Sequence, residues 1–431
     1  MPRTSRAATL KSRKNEVTQL VKLRQVPEHF IVDEVGGPEP ITEDWQDAPQ
    51  RLYRLEKRGH DTLALLAKLS SQFRISRGDW GTAGLKDRHA VTTQMVSLPS
   101  KYELCKEIGE TREGERWKLT LLGGTEKKLR AGDHDGNRFT LVIGDIDHRG
   151  MQSLPGKVAQ LEAHGVPNWF DAQRFGSAVN GELPGASILR RDFKRAMHLF
   201  LAKRHNSDRS VARQDKKRIQ AAWPNLDRIR VEEIKHKPFR KPLRAFASAR
   251  DDEDPFKAAY LAMPRDLRGM WLSAWQSRVW NATLAGTIYD AFEDHLLHEV
   301  PIHCGGPLLY PHAPTGKRGA AKHTLIEDIA RRMQKLPGTL PTVAPGIEDP
   351  HILDLIESSG IHPEDLDLSD CDGFVAAHER PTLIRPGDLE LSQPRRDPRN
   401  GSQKHKRWEF TVSFTLPTGA YATNVIKRLF H

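Results

Sequence analysis

Apolar and polar side chains alternate near the C-terminus of this 431-residue chain. The apolar positions are Phe410, Val412, Phe414 and Leu416. Such an alternation predicts a β-strand with one buried face, because successive side chains of a strand point to opposite sides of the sheet. A single strand is not stable in water. The C-terminal strand must therefore join a sheet that other, distant segments of the chain form.

The first part of the chain supplies candidate strands for that sheet. Residues 30–35 are a β-rich hexamer that stops at Gly36 and Gly37, which predicts a strand followed by a turn. Further strands are predicted at 52–56, 92–98, 117–122 and 138–143. We expect the C-terminal strand to pair with this group.

Helices are predicted on either side of these strands. Asp61 is a typical N-cap residue for a helix over residues 62–69, in which Leu63, Leu66 and Leu69 would share the buried face. Two more helices are predicted at 151–163 and at 420–430. The terminal helix would direct its apolar residues toward the same core as the strands.

The middle of the chain, about 165–378, has a different character, with helical patterns and long connections rich in Pro and Gly. Residues 299–324 and 341–350 are predicted to be long irregular loops. A chain of this length also exceeds the usual size of a single core. The sequence therefore predicts an α/β core, made by both ends of the chain, that a largely helical insertion interrupts.

Positive charge is concentrated in a few segments of the chain. The net charge is +11, and residues 201–250 alone contain 15 Lys and Arg against 5 Asp and Glu. Residues 343–372 instead contain nine acidic residues and no Lys or Arg. This asymmetry favours a polyanionic partner such as nucleic acid. For any single basic segment, a solvated surface is an equally good interpretation.

Other classes of protein are disfavoured by the sequence. No apolar run approaches the roughly 18 residues of a membrane span, and the basic N-terminal arm lacks the apolar region of a secretory signal. The three cysteines are odd in number and far apart, which fits a reducing, cytoplasmic location. His303, Cys304, His312 and His323 lie near one another in sequence but match no metal-site spacing, so no metal is expected.

One short segment, GTAGLKDRHAVTTQMVS from Gly81 to Ser97, combines glycines with a carboxylate between two cations. Glycines allow close approach of the backbone to a ligand, and the neighbouring Lys86 and Arg88 would keep Asp87 ionised. An ionised and positioned Asp can act as a nucleophile or as a base. A solvated surface residue is the more common interpretation of such an Asp when nothing else is known.

The same segment resembles the catalytic motif of the TruD family of pseudouridine synthases, a pattern close to AGxKDxxAxTxQ. Other family segments occur in the family's order. They are similar to PEDFxVxE at 27–34, with His29 where Asp is usual, to K-x-G-x-[ND]-T at 57–62, to GNxF at 136–139, to GVPNYFGxQRFG at 165–176 and to LPxGxxAT at 416–423. Residues 272–281 resemble a helix of the family's inserted domain. The resemblance covers about residues 24–430.

The resemblance implies a pseudouridine synthase core with a mixed, mainly antiparallel sheet, interrupted by a TRUD-type insertion domain. The implied boundaries are a basic N-terminal arm at 1–23, a catalytic domain at 24–164 and 379–431, and the insertion domain at 165–378. This agrees with the independent prediction of a sheet that both ends of the chain complete.

The resemblance also implies roles for individual residues. Asp87 would be the essential catalytic aspartate, as a nucleophile toward the sugar or as a base at its neighbouring carbon, and both remain open. Asn137 and Phe139 would lie near the active site, where an aromatic ring could stack on a flipped uracil. The alternatives are a turn residue for Asn137 and a buried strand residue for Phe139.

Four cationic or polar residues complete the predicted substrate-binding set. Arg24 stands where family members commonly carry a Lys, which replaces a compact ammonium by a planar fork. Lys86 would pair with a charge or contact a phosphate. Gln173 and Arg174 would position the Asp87 loop or a phosphate, or else have a structural role.

The implied function is a cofactor-independent isomerase that converts uridine to pseudouridine in structured RNA. The family's best-known target is uridine 13 of tRNA. No obligate protein partner and no membrane association are expected. The alternatives are a non-catalytic RNA-binding protein on the same fold, and the same enzyme class acting on ribosomal or messenger RNA.

Overall fold

The computed structural model describes residues 21–102, 104–112, 114–205, 207–313, 320–402 and 404–430. Most of the predicted basic N-terminal arm, residues 1–20, lies outside these ranges. The described chain forms two compact units. Pro167–Leu383 forms one, called the helical unit below, and the described residues before and after it form the other, called the sheet unit. The implied domain boundaries at 165 and 378 remain predictions about the family's domains.

The sheet unit is built on a ten-stranded mixed sheet. Its strands are β1 (Phe30–Val35), β2 (Gln50–Arg58), β3 (Gly81–Thr82), β4 (Val91–Pro99), β5 (Glu107–Arg112), β6 (Glu115–Thr125), β7 (Gly136–Ile146), β14 (Gly387–Leu391), β15 (Arg395–Arg396) and β16 (Trp408–Pro417). The main order is β14-β16-β7-β1-β4-β2-β6-β5, with β3 on β4 and β15 on β16. Among the described pairings, β1 with β4 is parallel and the others are antiparallel. The expected mixed, mainly antiparallel sheet is confirmed.

The C-terminal strand β16 joins the sheet beside β7. Phe414 lies opposite Phe139 and Val412 lies opposite Leu141, so the alternating apolar positions face the core. Because β7 also pairs with β1, the two ends of the chain meet within three adjacent strands. This confirms the expectation that the C-terminal strand completes a sheet begun near the N-terminus.

Three helices accompany this sheet: α1 (Thr62–Phe73), α2 (His148–His164) and α11 (Ala422–Phe430). The Asp61 side chain caps α1 by accepting from the Ala64 N–H, as predicted. Leu66 and Leu69 are buried against β2, β4 and β6, but Leu63 is 56% exposed, so its assignment to the buried face was wrong. The helix instead buries Leu65, because the apolar stripe follows the 62, 65, 66 and 69 positions.

The helical unit has its own apolar core. Its helices are α3 (Pro184–Leu189), α4 (Phe193–Leu201), α5 (Ser210–Ala222), α6 (Lys237–Ala247), α7 (Pro255–Leu261), α8 (Arg265–Ala291), α9 (Ala320–Gln334) and α10 (Pro350–Glu357). Its short strands are β9 (Leu297–Val300), β10 (Leu308–Pro311), β11 (Thr339–Pro341) and β12 (Glu379–Pro381). Two-residue strands, β8 (Val166–Pro167) and β13 (Leu383–Ile384), lie at its boundaries.

The predicted loop at 299–324 was partly wrong. Leu308–Pro311 forms β10, which pairs with β9 and is fully buried, and α9 begins at Ala320. The Trp169 indole N–H donates to the carbonyl oxygen of Leu309 at 3.2 Å, which ties β10 to the unit's core. A four-residue apolar stretch between turn residues carries too little periodicity to predict this strand. Residues 314–319 of the predicted loop lie outside the described residues.

None of the helices in the described ranges is both long enough and apolar enough to cross a membrane.

Replacing Leu69 by Ala should destabilise the sheet unit far more than replacing Leu63 by Ala. Leu69 is 0% exposed within the core beneath α1, and a buried Leu→Ala change costs about 2–5 kcal/mol. Leu63 lies on the same helix and is exposed, so the same change there should cost less than about 0.5 kcal/mol. Urea unfolding followed by tryptophan fluorescence compares the two variants. Equal shifts of the unfolding midpoint would contradict the burial pattern of α1.

Candidate active site

The loop between β3 and β4, residues 83–90, carries the predicted catalytic carboxylate. Gly81, in β3 just before the loop, lies so close to the Leu129 backbone that a Cβ atom would come within 2.8 Å of the Leu129 nitrogen. Any side chain there would force the loop away from its support. The glycine therefore permits β3 to lie directly against the Leu129 backbone.

Two donors hold the Asp87 carboxylate. Oδ1 accepts the His89 backbone N–H at 2.9 Å, a local turn that the Asp forms with its own chain. Oδ2 accepts from Arg24 Nη1 at 2.6 Å. The Asp87 side chain remains 19% exposed, so the group is oriented and still open to a ligand.

The backbone of the loop is held by the buried ammonium group of Lys57. Its Nζ donates to the carbonyl oxygens of His60 at 2.9 Å, Lys86 at 3.1 Å and Asp87 at 3.0 Å. Burial lowers the pKa of Lys57 from 10.5 to about 8, and the nearby Asp61 and Asp87 oppose that shift. The sequence singled out Lys57 as part of a motif but assigned it no role.

Two polar side chains hold the first half of the loop. Gln94 Nε2 donates to the carbonyl oxygen of Gly84 at 3.0 Å, and the Lys86 backbone N–H donates to Thr62 Oγ1 at 3.2 Å. Thr62 and Gln94 are themselves hydrogen-bonded at 3.0 Å. The motif residues Lys57, Thr62 and Gln94 therefore all contact the backbone of the loop that carries Asp87.

The Lys86 side chain turns away from the carboxylate and is buried. Its Nζ donates to Glu34 Oε1 at 2.6 Å, and Glu34 Oε2 accepts the Met95 backbone N–H at 2.8 Å. Lys86 thus has a charge partner, one of the two roles predicted for it. Sequence reasoning missed Glu34, although it is the last letter of the segment similar to PEDFxVxE.

His134 lies next to this buried ion pair. A Cβ atom on Gly84 would lie 3.2 Å from Lys86 Nζ and 3.3 Å from His134 Cε1, so the three groups are in close proximity. Burial, and then the positive charge of Lys86, lower the pKa of His134. No motif pointed to this histidine.

Arg24 reaches Asp87 from a segment that several long-range bonds hold in place. Lys22 and Gly144 exchange two backbone hydrogen bonds of 3.0 Å, and Asn400 accepts from Lys22 Nζ at 2.8 Å. Asn400 Nδ2 also donates to Gln25 Oε1 at 2.9 Å. The Arg24 guanidinium carbon lies 3.8 Å from the centre of the Phe30 ring, and this contact helps to orient the guanidinium group.

Asn137 and Phe139 lie on β7 beside β1. Asn137 is opposite Glu34 and Phe139 is opposite Val32. Phe139 is only 8% exposed and contacts the rings of Phe30 and Phe414 at centroid distances of 6.3 and 5.8 Å. The structure thus places Phe139 in the sheet core. Its predicted contact with a uracil remains a prediction.

Asn137 is half-buried, and its Oδ1 has no hydrogen-bond partner among the described residues. A buried and unpaired acceptor is energetically unfavourable. The oxygen thus has an unused capacity to accept a hydrogen bond.

The remaining predicted residues belong to the helical unit. Arg174 Nε donates to Ser277 Oγ at 3.0 Å, and its guanidinium lies 5.6 Å from the Phe170 ring centre. Gln173 is exposed in the short 3-10 turn Ala172–Phe175. Five of the seven predicted site residues therefore lie in the sheet unit with Asp87, and these two do not.

The His303–Cys304 stretch also lies in the helical unit. His303 Nε2 is 3.2 Å from the carbonyl oxygen of Phe175, and Cys304 is buried. Within the described residues, no group of three or more His, Cys, Asp or Glu side chains is arranged to hold a metal ion.

Comparisons with known proteins give a consistent result. A family model described as tRNA pseudouridine synthase D (TruD) matches residues 18–429. A probable tRNA pseudouridine synthase D 1 from Methanococcus maripaludis is 28% identical over 421 residues, which cover 95% of this chain and 100% of that protein. A probable tRNA pseudouridine synthase D 2 from Methanocaldococcus jannaschii is 28% identical over 419 residues, with 95% and 92% coverage.

A solved structure shows the same fold. The putative tRNA pseudouridine synthase D from Methanosarcina mazei superposes with a TM-score of 0.60 at 21% identity. The match covers 96% of this chain and 94% of that chain.

The Lys57 ammonium should titrate near pH 8 in the folded protein, because its burial disfavours the charged form. The unfolded chain holds this proton more tightly, so this group's contribution to the free energy of unfolding should rise between about pH 8 and pH 10.5. Side-chain NMR of ¹⁵N-labelled lysine measures the titration. The Lys57→Met variant identifies the signal and should lack the rise. A midpoint near 10.5 would show that Lys57 is solvated.

Proposed function

The chain belongs to the tRNA pseudouridine synthase D (TruD) family, and from that membership we propose that it isomerises a uridine of tRNA through the Asp87 carboxylate. The observation that carries the role of Asp87 is the convergence of the motif residues on its loop. Lys57, Thr62 and Gln94 bind the loop backbone, and Arg24 binds the carboxylate itself.

The chemistry fits a carboxylate that is fixed and partly exposed. Pseudouridine formation breaks the bond between N1 of uracil and the sugar, turns the base and joins C5 to the same sugar carbon. The proton lost from C5 is balanced by the proton gained at N1, so no oxidant and no energy input are needed. Asp87 can serve as a nucleophile toward the sugar or as a base at the adjacent carbon, and its geometry is compatible with both.

Arg24 occupies the place where family members commonly carry a Lys. Its guanidinium donates to Asp87 Oδ2 and lies over Phe30, which a compact ammonium could not do in the same way. We infer that Arg24 orients the carboxylate and contributes positive charge near the reacting sugar. Asn137 Oδ1, without a partner in the described chain, is the proposed acceptor for a donor group of the uracil.

Uridine 13 of tRNA is the proposed target nucleotide, on the resemblance to the family. The cytoplasmic location that the sequence predicts remains a prediction. A non-catalytic RNA-binding protein is disfavoured, because the motif around Asp87 is intact. Its residues hold both the Asp87 carboxylate and the backbone of its loop.

Asp87→Asn should abolish pseudouridine formation while leaving the fold and the tRNA affinity nearly unchanged, because the amide keeps the shape but is neither a nucleophile nor a base. We expect a rate reduction of at least about 10³-fold, comparable to the loss of a covalent or acid–base catalyst. The assay is tritium release from tRNA labelled at C5 of uridine. Asp388→Asn, an exposed Asp of the same unit, is the matched control and should retain full activity. Activity in Asp87→Asn would exclude the proposed role.

A tRNA transcript with cytidine at position 13 should form no pseudouridine, whereas the matched transcript with uridine 13 should form one pseudouridine per molecule. Mass spectrometry of nuclease digests after incubation with purified protein locates the product. Modification at another position would refute the proposed target but leave the enzyme class intact.

A further inference from the structure

An open cleft in the helical unit is lined by cationic and neutral polar side chains. Its volume is about 640 Å³. The polar lining residues are Asn180, Lys203, Arg204, His205, Arg213 and Gln220. Among the described residues, no acidic side chain lines it. The cleft contains none of the residues that surround Asp87.

The cations of this cleft differ from two neighbouring cations, Lys216 and Arg218, in their charge partners. Lys203, Arg204 and Arg213 form no ion pair with the carboxylates of the described residues. On α5, which carries Arg213, Lys216 and Arg218 are instead paired with Asp208 at 3.0 Å and Glu233 at 3.1 Å. Unpaired cations around a concave surface focus positive potential there. The cleft therefore combines unpaired cations with a concave surface, which suits it to bind an anion.

Helix geometry extends the cationic surface beyond the cleft. Arg213, Lys217 and Gln220 follow the i, i+4, i+7 spacing and so share one face of α5, and all three are exposed. The opposite face buries Ala212 and Ile219 in the unit's core. A ligand longer than a single phosphate could follow this face.

The backbone that presents these cations is held by one half-buried carboxylate. Asp208 accepts from the His205 backbone N–H at 2.6 Å and from Lys216 Nζ at 3.1 Å. The Lys203 backbone N–H also donates to the carbonyl oxygen of His198 at 2.9 Å. The cleft is thus preorganised, which reduces the entropy lost when a ligand binds.

We propose that this cleft binds the sugar–phosphate backbone of the substrate tRNA. The proposal rests on the proposed function, which supplies RNA as the substrate. Arg and Lys neutralise phosphates, while the Asn180 and Gln220 amides suit the hydroxyl and phosphate oxygens of an RNA strand. The described part of the lining contains no Phe, Tyr or Trp on which a base could stack, so contacts with the RNA backbone rather than with the bases are expected.

The test uses full-length protein that carries Asp87→Asn, so that RNA binding is measured without turnover. Lys203→Glu, Arg204→Glu and Arg213→Glu are combined in a cleft variant. Arg228→Glu, Lys235→Glu and Lys241→Glu are combined in a control with the same charge change, because these residues are exposed in the same stretch but do not line the cleft. Fluorescence anisotropy of labelled tRNA gives Kd from 50 to 300 mM KCl.

The cleft variant should bind tRNA at least about 10-fold more weakly at 100 mM KCl. The slope of log K against log salt concentration should become shallower by roughly 2 to 3, since each of the three lost phosphate contacts contributes about 0.7 to 0.9. The control should change Kd by less than about threefold. Equal weakening of both variants, or no weakening of the cleft variant, would overturn the proposal.

Further measurements separate the possible failures. The glutamine versions of the three cleft substitutions remove charge without adding repulsion, and they should show a smaller effect in the same direction with unchanged thermal unfolding. With Asp87 present, the cleft variant should raise the KM for tRNA and keep kcat at saturating RNA.

If the unsubstituted protein makes no pseudouridine, the proposed function fails while the binding result still stands. Loss of inorganic phosphate binding without loss of tRNA binding would assign the cleft to a small anion and refute the proposal.

Discussion

The position of the catalytic carboxylate depends on one buried ammonium group. Lys57 has three N–H donors and meets three carbonyl oxygens, which belong to His60, Lys86 and Asp87. Every donor is therefore satisfied, and the three carbonyls need no water. This arrangement connects the end of β2, the residues before α1 and the loop that carries Asp87. The carboxylate consequently keeps a fixed position although the loop itself has little regular structure.

Much of the sheet unit could be predicted because its strands carry local patterns. The alternation from Phe410 to Leu416 predicted the strand and its buried face. This prediction did not require knowledge of the partner strand, because the pattern is local. Local patterns failed where tertiary packing decided between neighbouring residues. Leu63 and Leu65 differ by two positions on α1, and only the position of the sheet determines which is buried. The buried strand Leu308–Pro311 was missed because four apolar residues show no period.

The candidate site could be predicted only in part. The ordered family segments led to Asp87, and the structure places five of the seven predicted residues in the same unit. The charge partners were less accessible to sequence reasoning, because Glu34 and Lys86 are far apart in the chain. Asn400 holds the Arg24 segment from 375 residues away, and no spacing rule extends over that distance. Such contacts exist only once the sheet has formed.

The pairing of β16 with β7 also determines the order in which the protein can assemble on the ribosome. When β7 has been synthesised, one of its edges can pair with β1, but the other edge has no partner until β16 emerges. The whole of Pro167–Leu383 is translated during that interval. At a translation rate of about 5–20 residues per second, the helical unit has time to fold first. During that time the sheet is incomplete, and one edge of β7 is unpaired. The nascent chain therefore has no complete Arg24 support until synthesis has passed Asn400.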